Sequence, residues 1–315
     1  TGTDPITFAT DELARYAVHV NANDVAVCGA RPAWFQAVLL LPSGGTRPHE
    51  PRALLEALED ELATLGAVLT GGHTEVVAGL DHPVVVGQMM GTVAKEAWVS
   101  PSGAQAGDAL LLAGGVALEA TALVAREKRG HLKSAGLTDQ ELDEAAAYLY
   151  DPGISVVRPA LAAAATGAVD AMHDVTEGGV ATAASELAQA AGRGVSLERE
   201  RLPLTALSRR VLGALEMDPL GSIGSGGLLI ACPQERVQEV TWAVRLSGTA
   251  CERVGEILED PDARVLNKGG RGAPWPEFEV DEWARVAAQT QEEGQEEDNE
   301  EGHEEERQQG QEESR

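Results

Sequence analysis

The sequence lacks most features that identify an enzyme or membrane-protein class directly. It has only three cysteines, Cys28, Cys232 and Cys251, and no C-x-x-C pair. This pattern argues against a disulfide framework or a structural zinc site and favours buried free thiols. No apolar run approaches the roughly 20 residues of a membrane-spanning helix. Residues 1–9 lack the basic start and apolar stretch of a signal peptide, so we expect a cytoplasmic protein.

Three common catalytic signatures are also missing. The sequence has no G-x-x-x-x-G-K-[ST] phosphate loop, no G-x-S-x-G nucleophile elbow and no H-E-x-x-H zinc motif. These absences exclude the usual patterns of P-loop nucleotide binding, α/β-hydrolases and zinc proteases. Basic residues are also few, since the net charge is −27 at pH 7. Such an acidic surface repels nucleic acids and anionic membranes, so we expect neither as a partner.

The chain is long enough for two domains and a tail. Its 315 residues are 43% hydrophobic, which is typical of a globular protein. Alternating strand and helix patterns predict a two-domain α/β (α+β) fold. We place an N-terminal domain at 1–103, a C-terminal domain with a mixed sheet at 104–288, and a disordered acidic tail at 289–315. Residues 291–315 carry 12 acidic and 2 basic side chains, and this composition cannot form a packed core.

Short polar and glycine-rich motifs are the features that indicate function. Asn23 and Asp24 interrupt a helical pattern between small residues. They are either a helix cap or part of a metal or phosphate site. Gly71-Gly72-His73-Thr74 follows a predicted strand, 67–70. This motif is either a tight turn or a loop whose amides and threonine hydroxyl bind phosphate.

A second set of motifs lies in the C-terminal half. Asp174 ends a predicted strand, and Gly178-Gly179 begins a predicted helix whose amino terminus is suited to an anion. Thr176 is either part of that site or an ordinary helix cap. Ser225-Gly226-Gly227 is either a strand-entry turn or a backbone contact to a nucleotide.

Taken in order, these motifs resemble the PurM-like, AIR synthase-related ATP-binding superfamily, and most of all the hydrogenase maturation factor HypE. The resemblance spans roughly residues 3–258. It is carried by the following segments: Thr3-Asp4, Asn23-Asp24, Gly29-Ala30-Arg31-Pro32, Gly71-Gly72-His73-Thr74, Asp174-Val175-Thr176-Glu177-Gly178-Gly179, Glu200-Arg201-Leu202-Pro203 and Asp218-Pro219-Leu220.

The resemblance implies a homodimer in which the N-terminal sheets complete a barrel, with ATP between the domains or across the dimer interface. It implies that Asp4 and Asp24 bind Mg²⁺ and that Asp24 and Asp174 are catalytic. The expected ATP-binding residues are Asn23, Gly71, Gly72, His73, Thr74, Thr176, Gly178 and Gly179.

The implied reaction is ATP-dependent phosphorylation or activation of an oxygen atom in an unidentified acceptor, as in hydrogenase maturation. Three alternatives stay open. HypE ends in a cysteine, whereas no cysteine follows Cys251 here. The family also has a glycine-rich segment before the Thr-Asp motif, and this sequence begins at that motif. These departures favour a non-catalytic nucleotide-binding scaffold, and we expect part of the phosphate site to precede Thr1. His73 is the residue that selenophosphate synthetase has at this position, whereas HypE and thiamine-monophosphate kinase have aspartate. Ser225-Gly226-Gly227 resembles both the synthetase and the kinase, so an enzyme of either type stays open.

Overall fold

The computed structural model describes residues 1–8, 10–44, 46–47 and 49–288. The predicted acidic tail therefore lies outside the described residues. The N-terminal unit has a four-stranded sheet in the order β1-β4-β2-β3 with two helices against it. Its elements are β1 (Gly2–Ile6), α1 (Leu13–Ala26), β2 (Arg31–Pro42), α2 (Glu50–Leu65), β3 (Val68–Val77) and β4 (Val84–Thr92).

The C-terminal unit has a seven-stranded sheet in the order β11-β10-β7-β9-β5-β8-β6. Its first elements are β5 (Ala109–Ala113), α3 (Leu118–Glu127), α4 (Arg129–Ser134), α5 (Asp139–Ala146), α6 (Val157–Ala164), β6 (Ala171–Asp174) and α7 (Gly179–Ala190). The others are β7 (Gly194–Glu198), α8 (Ala206–Gly213), β8 (Leu228–Cys232), α9 (Val237–Leu246), β9 (Cys251–Leu258), β10 (Arg264–Lys268) and β11 (Arg271–Ala273). Residues 282–288 are helical.

Both sheets are mixed. In the N-terminal sheet, β2 and β3 are parallel and the other pairs are antiparallel. In the C-terminal sheet only β7 and β10 are parallel within the described residues. The prediction of a mixed C-terminal sheet is therefore confirmed.

The hydrophobic core is continuous between the two units. Side chains alternate along β5, so Leu111 points to one face of the sheet and Leu110 and Leu112 point to the other. The Leu111 face joins a cluster that includes Phe35 and Met89 of the N-terminal sheet. The other face packs under α3, α5, α7 and α8. No helix among the described residues is long and apolar enough to cross a membrane.

The segment around Gly71 and Gly72 differs from the prediction. We expected a strand at 67–70 followed by a turn or loop, but β3 continues through both glycines to Val77. The physical reason is close pairing with β2, because a Cβ at Gly72 would overlap the carbonyl oxygen of Ala37. Glycine therefore permits the strand to approach its neighbour here, and does not end it.

Candidate functional site

Four carboxylates from both units lie near one another where the units meet. Asp4 is in β1, Asp24 is in α1, Asp174 ends β6, and Glu177 precedes α7. Burial raises the pKa of Asp24 to about 7, and the charges of Asp174 and Asp4 add to the increase. Burial likewise raises the pKa of Asp4, with further contributions from Glu177 and Asp174. A cation placed among these groups would remove their mutual repulsion.

Asp174 has an unpaired buried oxygen. The residue is 5% exposed, and its Oδ2 has no hydrogen-bond partner among the described residues. Burial raises the pKa of this carboxyl group as well. An unsatisfied buried carboxylate oxygen is costly unless something binds it. Asp174 Oδ2 is therefore a buried polar atom that a bound cation would satisfy.

The donor set fits Mg²⁺ better than a transition metal. Carboxylate oxygens are hard ligands, and proteins commonly hold Mg²⁺ through one or two carboxylates plus phosphate oxygens and waters. Among the described residues, no group of three or more His, Cys, Asp and Glu side chains is arranged to hold a metal by itself. A Mg²⁺ ion at this site would therefore need further ligands, such as phosphate oxygens or waters.

Asn21 fixes the position of Asp4. Its Oδ1 accepts a hydrogen bond from the Asp4 amide at 2.8 Å, and its Nδ2 donates to the Asp4 carbonyl at 3.1 Å. The same Nδ2 donates to the carbonyl of Ala17, one turn earlier in α1. We did not predict a role for Asn21, although a buried asparagine inside an alanine- and valine-rich helix was the available signal.

Asn23 joins the two units. Its Nδ2 donates to the carbonyl of Ile154 at 2.9 Å, and its Oδ1 accepts from the amide of Val156 at 2.8 Å. The side chain is fully buried. The structure therefore gives Asn23 a connecting role between α1 and the segment before α6, and the predicted contact with ATP stays a prediction.

The amino terminus of α7 already holds a carboxylate. Gly178, the N-cap, has φ of 72° and offers no side-chain cap. Its amide donates to Oδ2 of Asp281 at 2.8 Å, and the Trp283 amide donates to Oδ1 of the same residue. Thr176 contributes its carbonyl oxygen, which accepts from the Gly179 amide. We predicted an anion site here but missed Asp281, which lies about 100 residues further along the chain.

Gly71, Gly72, His73 and Thr74 lie away from the acidic group of the same chain. All four are exposed in β3, an edge strand. Gly72 pairs with Ala37, Ala37 with Gly87, and Gly87 with Asp4. Since neighbouring strands are about 4.8 Å apart, Gly72 lies roughly 14 Å from Asp4. The structure brings together Asp4, Asp24 and Asp174, and leaves the β3 motif outside the group.

A buried carboxyl group that we did not predict lies behind this site. Glu119 of α3 is 1% exposed, and its Oε2 accepts from the Ser225 amide at 3.0 Å. Burial raises its pKa to about 7, and the charges of Glu177 and Asp281 act in the same direction. One glutamate inside the alanine-rich helical pattern 117–125 was the only sign in the sequence.

Comparison with known proteins identifies the family of this chain. The N-terminal domain of AIR synthase related proteins matches residues 2–93, and the C-terminal domain of the same proteins matches residues 105–267. The chain belongs to the AIR synthase-related family. Both matches lie inside the two units described above and include every candidate site residue except Asp281.

Several curated relatives in this family are carbamoyl dehydratases called HypE. The protein of Cupriavidus necator is 27% identical over 260 residues, which is 81% of this chain and 70% of the relative. The Escherichia coli K12 protein is 29% identical over 273 residues, 85% of this chain and 76% of the relative.

Solved structures show the same fold. A hydrogenase maturation protein HypE in complex with ATP has a TM-score of 0.75 at 19% identity, covering 89% of this chain and 85% of that one. A thiamine monophosphate kinase from Aquifex aeolicus has a TM-score of 0.66 at 18% identity, covering 86% of this chain and 88% of that one. The resemblance to the AIR synthase-related superfamily and to HypE is therefore confirmed.

Proposed function

We propose that this protein is a Mg²⁺-dependent, ATP-binding enzyme of the HypE type, which uses ATP to activate an oxygen atom of a small-molecule or protein-bound acceptor in hydrogenase maturation. The unpaired Oδ2 of Asp174 beside Asp4 and Asp24 is the observation that carries the proposal. The ATP complex of a HypE with the same fold supports it.

The carboxylates would hold the metal and the glycine amides would hold phosphate. Asp4, Asp24 and Asp174 would supply hard oxygen ligands, and bound Mg²⁺ would supply the positive charge that neutralises a triphosphate. The dipole at the amino terminus of α7 favours an anion, and phosphate would replace Asp281 as the acceptor of the Gly178 amide. Glu119, with a pKa raised to about 7, is suited to holding a proton at neutral pH.

The edge strand β3 supports a dimer in which each site uses both chains. Val68 and Val76 of β3 are more than half exposed, and Trp34 of the adjacent strand is 43% exposed. Such an edge pairs readily with another chain. Because Gly71–Thr74 lie on this edge, a second copy would bring its motif toward a site that the first copy leaves incomplete.

Calorimetry with a non-hydrolysable ATP analogue, with and without Mg²⁺, tests the metal and nucleotide site. We expect Mg²⁺-dependent binding that weakens about tenfold or more in Asp24→Asn and Asp174→Asn. Asp60→Asn is the matched control, because Asp60 is an exposed aspartate of α2. Equal affinity of Asp24→Asn and the wild type would refute the metal assignment.

Light scattering tests the dimer separately. Val76→Glu should convert a dimer to a monomer, because it places a charge on the apolar edge. Leu246→Glu is the control, since Leu246 is 70% exposed on α9. A monomeric wild type would contradict the dimer while leaving the acidic site to its own test.

A nucleotide-binding scaffold without turnover is the second candidate. Asp281 favours it, because this carboxylate already occupies the Gly178 amide. Phosphate release from ATP, measured with candidate acceptors that include thiamine monophosphate, separates the two proposals. Turnover that Asp174→Asn abolishes supports an enzyme, and Mg²⁺-dependent binding without turnover supports the scaffold.

A further inference from the structure

A cavity of about 370 Å³ opens on the C-terminal unit, apart from the acidic site. It is bounded by the 3₁₀ turns Arg199–Arg201 and Pro219–Gly221, by α8 and by β10. Its apolar wall includes Leu202, Leu204 and Leu220. None of the acidic-site carboxylates lines it, so it is a separate feature of the surface.

Three cationic side chains from three elements line this cavity: Arg199, Arg209 and Lys268. Within the described residues, none of the three forms an ion pair. Arg210, the neighbour of Arg209 in α8, shows the contrast, because it pairs with Glu141 of α5. These three exposed cations lie beside one cavity of a chain whose net charge is −27.

Two carboxylates also line the cavity, but both are bonded to backbone amides. Glu200 accepts from the Gly269 amide at 2.7 Å, and Asp218 accepts from the Leu220 amide at 2.9 Å. These bonds fix the turn after β10 and the Pro219–Gly221 turn. These bonds hold the two carboxylates at the walls of the cavity, and within the described residues neither forms an ion pair with the three cations.

We propose that this cavity binds a small organic oxyanion, with its phosphate or carboxylate group held by the three cations and its apolar body against the leucines. Guanidinium groups match the geometry of oxyanions, and ammonium groups add a point charge. The volume is in the range of small-molecule sites, which combine apolar walls with a few placed polar groups. This site is independent of the proposed ATP site.

Methyl NMR of the full-length protein tests the proposal, with phenyl phosphate as the probe. We expect saturable shifts at the methyl groups of Leu202, Leu204 and Leu220. Inorganic phosphate should bind more weakly because it lacks an apolar body, and benzyl alcohol should cause no saturable shift there because it lacks charge. Shifts that saturate only at methyl groups elsewhere would overturn the proposal.

Charge-neutral variants show which cationic side chains bind phenyl phosphate. Arg209→Gln and Lys268→Gln should each weaken phenyl phosphate about threefold to tenfold. Arg271→Gln is the matched control: Arg271 is an exposed cation of β11 that pairs in register with Lys268 but does not line the cavity. Equal weakening in all three variants would show a general field effect and refute the site. Asp24→Asn should leave the affinity unchanged, so failure of the ATP site would not affect this result.

Discussion

Two glycine pairs, one in each unit, lie in opposite surroundings. Gly71 and Gly72 are exposed in an edge strand, and among the described residues no strand pairs with them on the outer side. Gly178 and Gly179 are enclosed at the start of α7, where Asp281 binds the first amide. The same dipeptide permits close strand pairing in one place and a left-handed helix start in the other. The surroundings, more than the glycines, decide whether a site is complete.

The largest expected loss of stability follows substitution in the enclosed pair, Gly178 and Gly179. Gly179 has φ of 64°, and a Cβ there would lie 2.5 Å from the carbonyl oxygen of Leu220. Gly179→Ala should therefore lower the free energy of unfolding by about 2–4 kcal/mol, as measured in urea. Gly192→Ala is the control, since Gly192 also has φ of 64° but open space around it. That variant should lose about 1 kcal/mol, and equal losses would mean that crowding at α7 is unimportant.

On the exposed edge, the two glycines themselves should differ. Gly72→Ala should lose about 1–3 kcal/mol of unfolding free energy, because its Cβ would overlap the Ala37 carbonyl and push β3 away from β2. At Gly71, whose φ of 156° is similar to the 153° of Gly72, nothing lies within 4 Å of an added Cβ. A Gly71→Ala variant as unstable as Gly72→Ala would show that backbone conformation dominates over strand contact.

The dependence of stability on pH should distinguish the buried carboxyl group of Glu119 from a carboxyl group on the exposed strand β3. The pKa of Glu119 is raised from 4.5 to about 7 in the folded state, so folding favours the protonated form. Stability should fall as pH rises from about 4.5 to about 7, and stay level above that range. Glu119→Gln keeps an oxygen acceptor for the Ser225 amide but does not titrate. The loss of unfolding free energy over this pH range should therefore be smaller in the variant by roughly 1–3 kcal/mol.

Unfolding in urea at a series of pH values measures this slope. Glu75→Gln on the exposed strand β3 is the control and should leave the slope unchanged, because its side chain is 61% exposed. An unchanged slope in Glu119→Gln would show that the buried carboxyl group does not control the dependence.

The smallest expected effect concerns nucleotide affinity. If phosphate uses the Gly178 amide, Asp281 competes for it, and Asp281→Asn should bind the ATP analogue about threefold to tenfold more tightly. Calorimetry against Asp262→Asn, an exposed aspartate, measures the change. Weaker binding in Asp281→Asn would indicate that this residue supports the site and does not block it.

Elements with clear periodicity were predictable from the sequence. The helix at 50–65 and the strands at 109–113 and 228–232 have the predicted bounds. The full length of strand β3 was not predictable, because glycine pairs usually indicate turns. The close contact of Gly72 with Ala37 is a tertiary feature that the local sequence does not record. Local pattern also cannot reveal that β2 lies against β3 at that residue.

The candidate site was predictable only in part. Asp4, Asp24 and Asp174 were chosen by motif, and in the structure the charge of Asp174 adds to the effect of burial in raising the pKa of Asp4 and of Asp24. Their roles as metal ligands stay predictions. Glu119 and Asp281 were missed because each reaches the site from a distant part of the chain, through contacts that no local motif records.

The buried amide of Asn23 has a consequence for how the protein comes apart. Its side chain donates to a carbonyl and accepts from an amide of the segment 154–156. It thus pairs with the backbone of the other unit as a neighbouring strand would. Together with the shared core around Leu111 and Met89, it makes separate melting of either unit costly. We expect a single cooperative peak in differential scanning calorimetry, because the two units should unfold together in one transition.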